Sequence, residues 1–285
     1  MRSIVRALPR WTPTQLRQDG AVSDPADRRA YDEFLRDLHR PALARRRVDR
    51  WGAFLLPHLR PGMRLLDVGC GPASITGGLA DAVSPGLTVG VDVDPGRLKG
   101  ATVTTVSARG EHLPFATATF DAVFACALLQ HVPDPVAVVR EMRRVCRPGS
   151  VAAIADADWD GYLVHPPDPL IERGQDVLRA IRSAGDPTVG KRLRHLLATN
   201  GFVGAVATAR TSSDGGADTE AAGGFRAASF DAPSAVALAE SIGASTAEEM
   251  AAIAEAWRRW GTSPGAFFSG FWVEALAWVP EGATA

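Results

Sequence analysis

The stretch Leu65-Leu66-Asp67-Val68-Gly69-Cys70-Gly71-Pro72-Ala73-Ser74 limits what this chain can fold into more than any other. An apolar run ends in a carboxylate, two glycines follow with one residue between them, and a helical pattern resumes near Ser74. Gly69 and Gly71 carry no Cβ, so the backbone can pass close to a ligand. The first turn of the next helix presents N–H groups without intrahelical partners. In a phosphate-binding loop those groups would hold an anion. Asp67 at the strand end is an awkward neighbour for pyrophosphate and suits a ligand that carries an amine. The dinucleotide pattern GxGxxG also fails, because position 74 is Ser, so a nicotinamide oxidoreductase is disfavoured. Taken alone, the segment equally fits an ordinary tight turn between strand and helix.

The flanking pattern extends it. Candidate strands Arg64–Val68, Thr88–Asp92, Val103–Val106, Asp121–Cys126 and Val151–Asp156 alternate with candidate helices, notably Ser74–Val83 and Pro135–Val145. In the latter Val136, Val139, Met142 and Val145 recur at helical spacing. Such alternation predicts an α/β fold with a doubly wound, mostly parallel sheet whose ligand lies at the carboxyl ends of the strands. About Asp24–Leu59 reads as helical, with apolar residues at Tyr31, Phe34, Leu35, Val48, Trp51, Phe54 and Leu55. Further on, Asp168–Ser183 and Val189–Asn200 read as helices and Phe202–Thr211 as a strand. Ser212–Gly224 reads as a surface loop, Ala232–Trp260 as two helices and Ala266–Val279 as a last strand.

Composition narrows the partners. A formal net charge of −1 over 285 residues gives no electrostatic case for a polyanion. The run Arg45-Arg46-Arg47 could touch phosphate, although such runs more often form a solvated helix face. Cys70, Cys126 and Cys146 form no CxxC, so neither a zinc site nor a disulfide framework is expected. Met1–Trp11 lacks the apolar stretch of a signal peptide, and no apolar run is long enough to span a bilayer. These features predict a soluble cytoplasmic protein.

With these residues in hand, the chain from about Arg60 to Asp156 resembles the class I S-adenosylmethionine-dependent methyltransferase family. Asp67-Val68-Gly69-Cys70-Gly71 resembles its first motif, an acidic residue followed by GxGxG, with Ala73 in place of the last glycine. Gly90-Val91-Asp92, followed by Val93, resembles the acidic strand end that holds the ribose hydroxyls. Gly110-Glu111-His112-Leu113-Pro114-Phe115 resembles the segment along the adenine, with Arg109 where an acceptor Asp is usual. Either Glu111 or a backbone carbonyl replaces that acceptor, or Arg109 only flanks the pocket. Phe120 to Val132 resembles the fourth strand and its exit. The nearest branch includes the ubiquinone and menaquinone biosynthesis enzymes and many natural-product enzymes.

The resemblance implies a seven-stranded Rossmann-like sheet with S-adenosyl-L-methionine as cofactor. It implies cofactor contacts at Asp67, Gly69, Cys70, Gly71, Asp92, Val93, Arg109, Gly110, Glu111, Cys126, Ala127 and His131. Residues 1–60 are expected to form a helical N-terminal cap. A methyltransferase domain over 61–285 would follow, with a helical substrate-binding insertion at about 212–262.

Methyl transfer from a sulfonium is an in-line displacement, so the protein chiefly positions an acceptor about 3 Å from the methyl carbon. A carbon or hydroxyl acceptor must also lose a proton. His131, just after the fourth strand, is the leading base; alternatively it caps a loop or helps bind the cofactor. Asp156, Asp158 and Asp160, with Trp159 and Tyr162 among them, could hold a polar substrate or be loop residues. Tyr31 and Trp51 could cover the sulfonium or simply pack in the core. Cys126-Ala127-Leu128-Leu129 lacks both the Asn-Pro-Pro-aromatic motif of nucleobase and amide-nitrogen enzymes and a carboxylate for a catechol-bound metal. No metal and no nucleic acid are expected. A small-molecule acceptor remains, aromatic or quinone-like, with carbon slightly favoured over oxygen or nitrogen, on a monomer or homodimer. The alternative is a non-catalytic S-adenosylmethionine-binding protein of the same fold.

Overall fold

The structure, a computed structural model, describes residues 25–44, 46–98 and 101–282; Met1–Trp11 and Arg45 lie outside them. Helices α1 (Pro25–Ala44) and α2 (Val48–Trp51) lead to strand β1 (Leu65–Val68). There follow α3 (Thr76–Val83), β2 (Thr88–Asp92), β3 (Thr104–Ser107), β4 (Phe120–Cys126), α4 (Pro135–Val145) and β5 (Cys146–His165). The second half holds α5 (Pro169–Ile181), α6 (Leu193–Thr199), β6 (Val203–Asp214), α7 (Thr219–Asp231), α8 (Pro233–Ser241), α9 (Ala247–Gly261) and β7 (Phe267–Trp278).

Local chemistry sets these boundaries. α4 starts where the Asp134 side chain accepts the Ala137 N–H and Pro135 takes the first helical position. Its Val138, Val139, Met142 and Val145 are buried. Every residue of β1 and β2 is buried, as parallel strands covered on both faces require.

The seven strands form one sheet in the order β3-β2-β1-β4-β5-β7-β6. β1 to β5 pair in parallel, and β7 runs antiparallel to both β5 and β6. The order reverses between β1 and β4, and ligands of open parallel sheets bind in the crevice at that reversal. One core packs Leu66, Val68, Val123 and Ile154 against α4 and α6. Another packs Leu65, Phe124 and Ala153 against Leu79 and Val83 of α3. A third joins α1, α5, α7, α8 and α9 around Tyr31, Phe34, Phe230, Trp257 and Trp260. No helix among the described residues is long and apolar enough to cross a membrane.

Three expectations need correction. β5 continues past Asp156 to His165, so Asp158, Trp159, Asp160 and Tyr162 belong to the strand, with its register shift opposite Phe271 and Gly270. Ser212–Gly224 is not a loop throughout, because β6 runs to Asp214 and α7 starts at Thr219. Gly223 serves helix packing: a Cβ there would stand 2.6 Å from the Trp257 carbonyl oxygen and 2.9 Å from Gly261 Cα of α9. The helix expected from Ser74 begins at Thr76.

Candidate functional site

The loop after β1 turns back on itself through Gly69, Gly71 and Ala73, at φ of 76°, 53° and 60°. A Cβ built on Gly71 meets no atom within 4 Å, so this backbone borders open space. The Gly71 N–H donates to Asp92 Oδ2 at 2.9 Å, and the Asp94 N–H donates to Asp92 Oδ1 at 2.9 Å. Asp92 therefore ties the loop after β1 to the loop after β2.

Asp67 is buried, and the Thr76 hydroxyl donates to its Oδ2 at 2.6 Å. Burial pushes the Asp67 carboxyl up to about 7, against the Thr76 hydrogen bond and with some help from the Asp92 charge. A cationic group beside Asp67 would restore its ionised form.

Ala73 holds a left-handed conformation that costs an L-residue about 1–2 kcal/mol. Ala73→Gly is expected to raise stability by about 0.5–1 kcal/mol, read as a higher urea midpoint. A lower midpoint would mean that packing of the buried Ala73 methyl outweighs the backbone strain.

Across the crevice, β4 ends at Cys126 and a short 3-10 turn, Leu129–His131, follows. The fully buried Asp156 of β5 organises this turn. It accepts the Leu129 and Gln130 N–H groups at 2.8 and 3.3 Å, Gln130 Nε2 at 2.7 Å and the Ala157 N–H at 3.0 Å. Burial nonetheless pushes its carboxyl up to about 7. The Trp159 indole N–H donates to Gln130 Oε1 at 2.8 Å, and the Arg182 guanidinium lies 3.9 Å over the Trp159 ring.

His131 Nδ1 lies 2.7 Å from the hydroxyl of Tyr31 on α1. Burial raises the Tyr31 phenol well above its ordinary value, so this hydroxyl stays protonated. Arg28, also on α1, donates to the carbonyls of His131 and Ala184, each at 3.0 Å. Helix α1 is thereby hydrogen-bonded to the rim of the crevice.

Asp67, Gly69, Cys70, Gly71, Cys126, Ala127, His131 and Trp159 line one cavity, and Asp92 sits one hydrogen bond behind Gly71. Val93 is 59% exposed, Arg109 pairs with Glu111 at 3.7 Å, and Gly110 packs against Val68 and Val138; none of these four lines the cavity. Tyr31 stands behind His131. Trp51 stands behind Trp272, with ring centroids 4.5 Å apart. Asp158 accepts the N–H groups of Asp160 and Lys191 instead of lining the cavity. The sequence offers Trp257, Trp260, Phe267, Phe268, Phe271 and Trp272 as walls of an apolar pocket or as core; Trp257 and Trp260 are core and Trp272 lines the cavity.

Sequence reasoning missed Leu35, Arg46, Ile75, Arg97 and Gln130 as lining residues. Arg46 is not part of a solvated helix face. It lies between α1 and α2, its guanidinium 4.3 Å over the Trp51 ring and 5.3 Å from that of Trp272. Arg47 is exposed as expected. The three cysteines are free, and burial raises all three thiols, which leaves them poor nucleophiles.

A family model described as a methyltransferase domain matches residues 66–154. An uncharacterized methyltransferase of Schizosaccharomyces pombe is 31% identical over 196 residues, covering 61% of this chain and 68% of that protein. An uncharacterized 37.1 kDa protein in a transposon of Streptomyces fradiae is 33% identical over 152 residues, covering 50% of this chain and 44% of that protein. The chain thus spans less than half the length of some curated relatives that it matches. Among solved structures, a Bacillus halodurans protein is similar in fold, with a TM-score of 0.54 at 18% identity, covering 80% of this chain and 98% of that one.

Proposed function

The chain belongs to the class I S-adenosylmethionine-dependent methyltransferase family, and from that premise we propose that it methylates a small aromatic or quinone-like molecule, at carbon slightly sooner than at oxygen or nitrogen. One observation carries the reading: two buried strand-end carboxylates, Asp67 and Asp92, flank the open backbone at Gly71. Asp92 is suited to the ribose hydroxyls and Asp67 to the amine of the methionyl group. Gly69, Cys70, Gly71, Cys126 and Ala127 border the same space, while Val93 beside Asp92 and the Arg109-Gly110-Glu111 segment, which do not line it, keep their ribose and adenine roles on the resemblance alone.

The cofactor supplies an activated methyl group when bound. This chain's own residues orient the acceptor and exclude water. Trp159, Trp272 and Leu35 give an apolar wall, and His131 is the group on the cavity suited to hold a proton. The described part of the N-terminal cap, within 25–60, and the helices within 212–262 complete the acceptor side, an assignment supported by the α1 contacts to His131 and by the shared core of α1, α7, α8 and α9. A net charge of −1 favours a small molecule over nucleic acid.

Calorimetry tests the cofactor assignment: S-adenosylhomocysteine should bind and NAD should not. Asp67→Asn and Asp92→Ala should each weaken binding by about 1–3 kcal/mol. Unchanged affinity in both, with the fold intact by circular dichroism, would defeat the assignment.

The Asp67 value of about 7 adds a pH dependence. The ligand's ammonium group needs an ionised Asp67, so protons compete with it as the pH falls through that value. Affinity at pH 6 should be about tenfold lower than at pH 8. Asp67→Asn should flatten the profile; the same slope in that variant would assign the proton to another group.

A further inference from the structure

The crevice has an electrical polarity that the reading above leaves unused. Its β1–β2 end carries Asp67, with Asp92 one hydrogen bond behind Gly71 and with Arg97 neutralised there by Asp94 at 3.7 Å, and its β4–β7 end carries Arg46. Arg46 lines the cavity beside Trp272, and no carboxylate of a described residue pairs with its guanidinium. The Cys126 thiol, kept protonated by burial, accepts a hydrogen bond from it without supplying a charge, and Asp156 attracts it from a distance while four N–H donors from Leu129, Gln130 and Ala157 take up the Asp156 oxygens.

A second guanidinium, that of Arg210, lies 4.6 Å over the same Trp51 ring. Arg210 sits opposite Trp272 in the β6–β7 ladder and pairs through Nε with Glu274. Its Nη2 is buried with no hydrogen-bond partner. Arg50, whose Nη2 donates to Ser212 Oγ at 3.1 Å, stands near the same ring. Three cations therefore surround a tryptophan pair that one paired carboxylate, Glu274, only partly balances.

A desolvated guanidinium is costly unless something negative complements it. The faces of Trp51 and Trp272 supply part of that complement. Burial and the repulsion of Arg210 both lower the Arg46 value, so the protein holds this cation against a cost. The fork of an arginine matches a carboxylate or phosphate through two parallel N–H donors.

We propose that Arg46, backed by Arg210, is a subsite for an anionic group at the β4–β7 end of the crevice, so that the methyl acceptor is an organic acid bearing a carboxylate or phosphate. The proposal rests on the crevice being the cofactor and acceptor site. The same chemistry could come from the cofactor's own carboxylate, and the experiment separates the two sources.

Calorimetry is run on the full chain, wild type and Arg46→Gln, with S-adenosylhomocysteine and with 5′-methylthioadenosine, which lacks the amino-acid part. Benzoate, benzamide and inorganic phosphate are then titrated into S-adenosylhomocysteine-saturated and ligand-free protein. Wild type should bind benzoate or phosphate and ignore benzamide. Arg46→Gln should weaken that binding at least about tenfold, while S-adenosylhomocysteine affinity changes less than about threefold. Arg46→Lys keeps the charge without the fork and should fall between; it decides the matter if Arg46→Gln does not fold.

A loss in Arg46→Gln confined to S-adenosylhomocysteine, with 5′-methylthioadenosine unaffected, would assign the arginine to the cofactor and overturn the proposal. No anion binding to wild type at millimolar concentration would also overturn it. Failure of wild type to bind S-adenosylhomocysteine would sink the cofactor reading instead, with the ligand-free titrations still judging the anion subsite.

Discussion

Gly71→Val is expected to abolish S-adenosylhomocysteine binding, weakening it by at least about 100-fold, while the sheet still forms. Gly71 is in the left-handed region at φ 53°, and a Cβ there would enter the open space of the cavity. A branched side chain fills that space and also strains the backbone. Its N–H must keep its hydrogen bond to Asp92, so the loop cannot swing away without releasing the carboxylate read as the ribose acceptor.

Gly71→Ala separates obstruction from strain. Ala73 and Ala127 already hold φ of 60° and 55°, so alanine can occupy this conformation here. Gly71→Ala should fold normally and bind about tenfold more weakly than wild type. Thermal melting with calorimetry checks both variants. Normal binding by a folded Gly71→Val would mean that this loop does not lie against the cofactor.

The half of the fold that carries the glycine loop after β1 is legible because its signals are local. β1, β2 and β4 are short buried runs that end in the residues they present, and α4 carries its own cap and apolar period. What escaped depends on distant partners. The strand after α4 reads as ending at Asp156 because a carboxylate breaks an apolar run. Asp156 is fully buried only because N–H groups of the turn at 129–131 converge on it. α7 reads as loop because it holds Gly223 and Gly224, yet Gly223 serves the close approach of α9. Arg46 reads as one member of a basic run, and only Trp272, far along the chain, makes it a wall of the cavity. A run of three identical residues carries no period that could separate Arg46 from Arg47.

His131→Ala is expected to lower kcat by about 100-fold with cofactor affinity nearly unchanged. The geometry behind this is the 2.7 Å contact between His131 Nδ1 and the Tyr31 hydroxyl, together with the place of His131 on the cavity wall. With Nδ1 engaged, a proton leaving the acceptor would go to Nε2. That requires the tautomer in which Nδ1–H donates to the Tyr31 oxygen; in the other, Nε2 already carries hydrogen and cannot accept. Tyr31 is held neutral by burial, so its hydroxyl can serve as that acceptor without adding a charge. On this mechanism Tyr31 would act as a positioning residue. Tyr31→Phe should cost about tenfold in kcat while the acid limb of the pH profile persists. A base must be neutral before it acts, so the rate should fall at acid pH, and His131→Ala should erase that acid limb. Single-turnover rates across pH, using an acceptor identified by labelled methyl transfer, read all three effects. Full activity of His131→Ala with the acid limb intact would remove His131 from the mechanism. Loss of S-adenosylhomocysteine affinity without a change in the single-turnover rate at saturation would make it a cofactor contact and leave Tyr31 no tautomer to set.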